Sequence, residues 1–312
     1  MNEFLIAAKD AGIRIDRFLA ARIPSDSRTS IRKWLEQNYV LVNGHPAKAS
    51  YKLRIGDCIE MRPIPAPVEE KPLLAWDHPL QVLYEDDWLV AIYKPAGMIV
   101  HPGAGTKDHT VVHAALRLVP QIRSVGHPAR PGVVHRLDKE TSGVLLIAKT
   151  QESYLKLAAM FKDRKIEKRY RALAFGKFEH SSGRIEKALG RDPSDRKKIS
   201  IRATRKRQAI TLYRVLKAYG FGSLLDVQIL TGRTHQIRVH LSSENHPIVG
   251  DAKYGGGNWN RIANVDLRNR LKASEFFGLH AFSLDFKHPI TGEPLHIQAE
   301  LPPIWNEMGR VD

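Results

Sequence analysis

Chemistry is densest in one stretch, Val133-Val134-His135-Arg136-Leu137-Asp138-Lys139-Glu140-Thr141-Ser142-Gly143-Val144-Leu145-Leu146-Ile147-Ala148. Two apolar runs flank a polar loop, and a loop fixed between buried strands is a rigid place for a reactive group. Asp138 is the candidate carboxylate. The plainer reading makes it a turn aspartate that accepts from the Thr141 or Ser142 backbone.

A second stretch, Thr231-Gly232-Arg233-Thr234-His235-Gln236-Ile237-Arg238-Val239-His240, packs two arginines and two histidines together. Read as a strand over 236–241, it puts Gln236, Arg238 and His240 on one face and Ile237 and Val239 on the other. One face is then core and the other a cationic wall; a solvated surface strand is the alternative. A third stretch, Glu167–Gly176, sets Tyr170 on the same strand face as Lys168 and Ala172. An aromatic ring beside cations suits stacking on a base next to a phosphate track, although a core tyrosine is commoner.

These stretches need elements to hold them. In residues 1–61, Ile15, Phe18, Leu19 and Ile23 recur at helical spacing, as do Ile31, Trp34 and Leu35. Ser27 and Thr29 are candidate caps of the second helix. Val40-Leu41-Val42-Asn43-Gly44 predicts a strand entering an Asn-Gly hairpin, with another strand over 57–61. Arg17, Arg28, Arg32 and Lys33 decorate the two helices. Residues 62–75 alternate proline and charge and read as a linker. Residues 76–312 read as one α+β domain. Its strands fall near 81–84, 89–93, 144–148, 168–174, 209–218 and 224–230, and its helices near 110–118 and 153–162. Short glycine loops between strands favour antiparallel pairing.

Composition narrows the partners. The 312 residues carry 49 Lys and Arg against 33 Asp and Glu, a formal charge of +16, which points to a polyanion. Eight basic and two acidic residues fall within 191–207, read as a phosphate-contacting flap. The single cysteine, Cys58, excludes an intramolecular disulfide and Cys-cluster metal sites. Apolar runs such as Val144–Ala148 fall far short of the ~18–20 residues of a membrane span, and the N-terminus lacks a secretory pattern. A cytosolic monomer with no membrane partner is expected. His109 and His113 have a metal-ligand spacing without the glutamate of a metalloprotease, and no phosphate or dinucleotide loop has the right spacing. No metal and no cofactor is expected.

His135-Arg136-Leu137-Asp138 with Thr141-Ser142-Gly143 resembles the catalytic signature of RluA-type pseudouridine synthases. Lys168…Tyr170…Ala172…Gly176, the 231–240 stretch and Pro247-Ile248…Gly250-Asp251…Tyr254-Gly255 resemble further motifs of that family. Residues 1–61 resemble the small alpha-L RNA-binding domain first described in a small-subunit ribosomal protein. The resemblance implies a catalytic domain built on a large mixed, mainly antiparallel sheet, with a small N-terminal α/β RNA-binding domain. It implies isomerisation of uridine to pseudouridine in structured RNA, foremost 23S rRNA or a large-subunit precursor. A tRNA synthase and a non-catalytic ribosome-assembly factor are the alternatives.

By that resemblance Asp138 is the catalytic aspartate, Arg233 pairs with its carboxylate, and Tyr170 stacks on the uracil. Arg136 wedges into the RNA stack when the target base is extruded. His135, Arg238 and the helix residues Arg17, Arg28, Arg32 and Lys33 are expected to contact RNA. Whether Asp138 attacks carbon-1′ or takes a proton from carbon-2′ stays open, and Tyr170 is the group in reach of the carbon-5 proton.

Overall fold

The computed structural model describes residues 2–23, 26, 28–63, 72–103 and 105–310. It divides into two compact units, residues 1–71 and 72–312. Of the expected linker, residues 64–71 lie outside the described residues. Leu73 belongs with the second unit, where its carbonyl accepts from Arg123 Nη1 at 2.9 Å.

The first unit runs β1 (Asn2–Leu5), α1 (Ile15–Arg22), α2 (Arg28–Glu36), β2 (Val40–Val42), β3 (His45–Pro46) and β4 (Cys58–Met61). The sheet order is β1-β4-β2-β3. The β2–β3 turn forms at Asn43-Gly44, both with positive φ (51° and 74°), as a two-residue hairpin requires. The apolar faces of α1 and α2 meet the sheet through Ile15, Leu19, Ile31, Leu35 and Ile59. Ser27 lies outside the described residues. Asp16 is buried beneath the helices and takes hydrogen bonds from Arg14 (3.0 Å) and Arg28 (2.7 Å). Burial pushes its pKa up, but these arginines outweigh that and hold it at about 2. Arg28 thus braces the helix pair. Arg17, Arg32 and Lys33 are exposed on the same helices.

The second unit contains β5 (Val82–Glu85), β6 (Leu89–Lys94), α3 (Val111–Leu118) and a short hairpin β7 (Gly126–His127) and β8 (Arg130–Pro131). Then come β9 (Ser142–Ala148), α4 (Gln151–Lys162), β10 (Glu167–Phe175), β11 (Ser182–Glu186), β12 (Gly190–Arg191) and β13 (Ile199–Ser200). The chain closes with β14 (Ile210–Tyr219), β15 (Gly222–Ile229), α5 (Gln236–Ser243), α6 (Val265–Ala273), β16 (Leu279–Lys287) and β17 (Pro294–Gln298). The large sheet has the order β11-β14-β15-β10-β16-β9-β6-β5, with β17 also on β16. Its pairings are antiparallel except β9 on β16, which is parallel at Ser142–His280 and Gly143–Ala281.

β9 is buried along its whole length because both its faces are covered. Leu145 and Ile147 pack with Val111, Val112 and Leu116 of α3. Val144 and Leu146 pack with Leu157 of α4. In the other half of the sheet, Ala172, Leu225 and Val227 pack with Ile237 and Leu241 of α5. Tyr170 touches both this core and the one under α3, so it stands where the halves meet.

Residues 236–241, expected as a strand, form helix α5. The alternation that suggested a strand coincides with an i, i+4 apolar pair, Ile237 and Leu241, and the helix is buried nearly all round. Gln236 secures its first turn: the side chain accepts from Thr231 Oγ1 (2.7 Å) and donates to the Ile210 carbonyl (2.9 Å). The segment 191–207 begins as the small β12–β13 hairpin. His113 does not face His109 across a metal site; its Nδ1 is held by Thr110 in the α3 capping box.

Candidate active site

Asp138 lies in the loop before β9, and several groups fix that loop. Lys94, at the end of β6, is fully buried and donates to the carbonyls of Pro95 (2.8 Å) and Lys139 (2.9 Å). Burial lowers its pKa to about 7, against the pull of Glu140 and Asp138. The Gly97 amide reaches the same Lys139 carbonyl (2.9 Å). At the far side of the loop Gly143 has φ 114°, and a Cβ there would collide with the Ala281 backbone. Only glycine lets β9 approach β16 so closely. The turn itself is made by the backbone, Thr141 N–H to Asp138 C=O (3.2 Å), which leaves the Asp138 carboxylate free for other work.

That carboxylate receives Arg238 Nη1 at 3.1 Å. Arg238 is 5% exposed, and its Nε and Nη2 grip Asp251 at 2.7 and 2.9 Å. One guanidinium therefore spans two carboxylates. The fork presents a planar, fixed donor set that a lysine lacks. Burial works against its charge, but Asp251 and then Asp138 raise its pKa well above the ordinary arginine value. The expected Arg233–Asp138 pair is not formed. Arg233 precedes α5, and its Nε donates to the Gln208 carbonyl (3.2 Å); Arg238, one turn into the helix, points inward instead. Arg238 is accordingly a buried group that lines the cavity and holds Asp138.

His135 is likewise part of the scaffold. Its Nε2 accepts from the Leu146 amide (2.9 Å) and its ring stacks on Phe161 at 4.5 Å. Burial and then Lys168 depress its pKa to about 3, so the ring at the cavity wall is neutral. Arg136, beside it, is exposed.

These residues line a cavity of about 470 Å³. Asp138, Arg238, His235, Tyr170, Lys168 and Leu279 are among its lining residues, with Arg136, Lys162, Arg164 and Arg233 adding cations. A register shift between Arg169 and Tyr170 in the β10–β16 pairing is the kind of irregularity that re-aims a side chain. Burial, and then Asp138, raise the Tyr170 pKa far above that of a free phenol. The shift favours the protonated phenol, which offers a ring face and an O–H donor to the cavity.

Four site residues were not singled out from the sequence. His235 Nε2 lies 3.9 Å from Asp138 Oδ1, and its Nδ1 meets the Tyr254 hydroxyl at 2.7 Å. Asp251 holds Arg238, and Lys94 holds the loop. His235, Asp251 and Tyr254 lie inside the family-like motifs. For Lys94 the signal was a lysine closing an otherwise apolar strand run, Leu89–Lys94.

The arrangement offers a held carboxylate, Asp138, as the one carboxylate among the described lining residues, a phenol, and several cations. Comparison with known proteins agrees with that chemistry. Residues 88–243 match the family model described as RNA pseudouridylate synthase, and residues 13–59 match the S4 domain. An uncharacterized RNA pseudouridine synthase of Aquifex aeolicus is 40% identical over 293 residues, covering 93% of this chain and 90% of the relative. The ribosomal large subunit pseudouridine synthase D of Xanthomonas campestris is 37% identical over 304 residues, covering 97% and 89%. Among solved structures, human RNA pseudouridylate synthase domain containing 4 superposes with TM-score 0.57 at 29% identity, over 74% of this chain and 92% of that one.

Proposed function

The chain belongs to the RNA pseudouridylate synthase family, with an S4 domain at its N-terminus, and from that premise we propose that it converts uridines of 23S rRNA to pseudouridine with Asp138 as the catalytic carboxylate. The observation that carries the proposal is the Asp138 carboxylate held by buried Arg238 at the wall of a cavity faced by Tyr170.

The reaction breaks the bond from uracil N1 to carbon-1′ and makes one from carbon-5 to carbon-1′. The carbon-5 proton is lost and N1 gains one, so substrate and product are isomers and no oxidant is consumed. A uridine within folded RNA must first leave its stack, at a cost of a few kcal/mol. Arg136, exposed at the cavity rim, can fill the vacated space. Glycosidic cleavage commonly uses two carboxylates. One suffices here because uracil delocalises its own negative charge and stays in the cavity. Asp138 meets the ribose, at carbon-1′ as a nucleophile or at carbon-2′ as a base. The Tyr170 ring supports the uracil face, and Arg238 fixes the carboxylate and balances its charge.

The rRNA assignment draws on the S4 match and on relatives named as large-subunit enzymes. Arg17, Arg32 and Lys33 on the N-terminal helices, Arg28 in part, and the 191–207 segment supply phosphate contacts. The protein works on this reading as a monomer in the cytosol, where rRNA precursors are found; among the described residues no helix is long and apolar enough to cross a membrane.

The test is complementation. In a strain lacking the protein, the wild-type chain restores a defined set of pseudouridines in 23S rRNA and Asp138→Asn restores none. If Asp138→Asn restored them all, Asp138 would not be the catalytic group. If the sites restored by the wild-type chain lay in tRNA, the rRNA assignment would fall.

A further inference from the structure

Tyr254 joins the basic hairpin to the groups around Asp138. Its hydroxyl receives the backbone N–H of Ile199, in β13 of the hairpin, at 3.0 Å. The same hydroxyl lies 2.7 Å from His235 Nδ1. A phenol has one proton to give. With Ile199 donating to the oxygen, that proton is free for His235, whose Nδ1 is then the acceptor. In that arrangement the imidazole carries its own proton on Nε2, the atom that faces Asp138 Oδ1 at 3.9 Å.

The surroundings hold this chain of groups in place. His235 has φ 54° and ψ 24°, the left-handed region, at the N-cap of α5. Its ring meets the Tyr254 ring edge-on at 5.4 Å, and the Arg238 guanidinium lies 5.1 Å from the centre of the Tyr254 ring. Ser242 Oγ pins the Tyr254 carbonyl at 2.7 Å. Next to it, Lys253 Nζ donates to the Lys197 carbonyl of the hairpin at 2.6 Å. The hairpin therefore rests on the 251–254 loop by two hydrogen bonds, and the same loop supplies Asp251 to Arg238. The charged groups facing His235 are Asp138, Arg238, Asp251 and Lys253, and burial lowers its pKa despite the pull of Asp138. A neutral, tautomerically fixed imidazole is what this setting favours.

We infer that Tyr254 is a positioning residue: it ties the basic 190–207 segment to the Asp138 carboxylate by fixing the tautomer and place of the His235 ring, so that seating of RNA phosphates on the segment is felt at the carboxylate. The inference rests on the reading of this cavity as the place of uridine chemistry. It assigns the hairpin a second duty beyond affinity.

Three measurements on the full chain test it. In the free protein labelled with 15N-histidine, His235 shows the Nε2–H tautomer, and Tyr254→Phe shifts it toward Nδ1–H or a mixture. At saturating rRNA transcript, Tyr254→Phe lowers the single-turnover rate of tritium release from carbon-5 by about tenfold, with RNA affinity within about threefold, as loss of one buried hydrogen bond at a reacting group predicts. Ile199→Pro removes the hairpin's donor and keeps the hydroxyl. The hydroxyl loses its anchor, so the Nε2–H tautomer is retained only in part and the single-turnover step slows by roughly threefold. An unchanged tautomer in Tyr254→Phe overturns the inference, as does an unchanged rate in Ile199→Pro. Should Tyr254→Phe fail to fold, Ile199→Pro decides. A wild-type chain that releases no tritium defeats the activity reading, whereas the tautomer is read without RNA and judges Tyr254 by itself.

Discussion

Replacing Arg238 with lysine distinguishes the two arginines that the 231–240 stretch offers to Asp138. The native guanidinium spends Nε and Nη2 on Asp251 and Nη1 on Asp138, all within 3.1 Å. Lysine has one ammonium and no fork, so it serves one carboxylate and abandons the other. Asp251 is 1% exposed and claims the shorter native bonds, so the ammonium stays there and Asp138 loses its anchor. A hydrogen bond to a charged group is worth about 1.5–3 kcal/mol net. If that support is needed when the carboxylate engages the ribose, the single-turnover rate falls about ten- to a hundredfold. The positive charge remains inside, so the stability loss stays near the lower end of the roughly 3–5 kcal/mol for a broken buried pair. The assay is tritium release from a carbon-5-labelled rRNA transcript at saturating enzyme, with near-ultraviolet dichroism to confirm the fold. Arg233→Lys, run in parallel, changes RNA affinity more than the saturated rate, because Arg233 stands among Arg164 and Arg207 and touches no carboxylate in the described site. The reverse outcome would refute the reasoning: Arg238→Lys within about threefold of wild type while Arg233→Lys loses about a hundredfold.

Gly143→Ala is expected to cost at least about 3 kcal/mol, from the φ of 114° and the collision with Ala281 together, and to abolish activity; chemical denaturation reads the first effect. Stability of the second unit is expected to fall as pH drops from about 6.5 toward 4. Burial holds His135 neutral down to about 3 and His280 to about 4, whereas the unfolded chain takes up protons near 6.5. The folded pKa values lie below the unfolded ones, so this stability is fully present above pH 6.5, and each histidine accounts for a loss of up to about 2 kcal/mol at pH 5; urea titrations at pH 7 and pH 5 check it. Changing Lys197, Arg202 and Arg205 to alanine should flatten the dependence of log K on log salt for RNA by about 0.7–0.9 for each phosphate that is no longer neutralised. An unchanged slope would show that the segment does not meet phosphate.

Much of the architecture was legible because local and global signals agreed. The Asn43-Gly44 hairpin and the doubly buried β9 each satisfied a local rule that the tertiary structure also needed. Asp138 was legible from its motif, and the structure adds what holds it. The 236–241 segment misled because a helix buried on nearly all sides shows no polar face, and its alternation of Gln, Arg and His with Ile and Val fits a strand equally well. The Arg233–Asp138 pair came separately, from the resemblance, and Arg238 makes that contact instead. Lys94 was overlooked for a different reason. A lysine is ordinarily read as surface, and only the carbonyls of Pro95 and Lys139 converging on it reveal a buried donor. Contacts between residues far apart in sequence, such as Asp138 with Arg238, leave no local trace.

The position of β16 has a consequence for how the enzyme comes into being. Asp138 enters the sheet through β9 and Tyr170 stands on β10, yet these strands are not neighbours: β16, residues 279–287, lies between them. The strand that joins them therefore follows both of them in the chain. A chain cut before Leu279 keeps both chemical groups but loses the strand that joins β9 to β10. The sheet that carries both groups is thus continuous only once residues 279–287 have joined it, so the site depends on a segment that supplies neither the carboxylate nor the phenol.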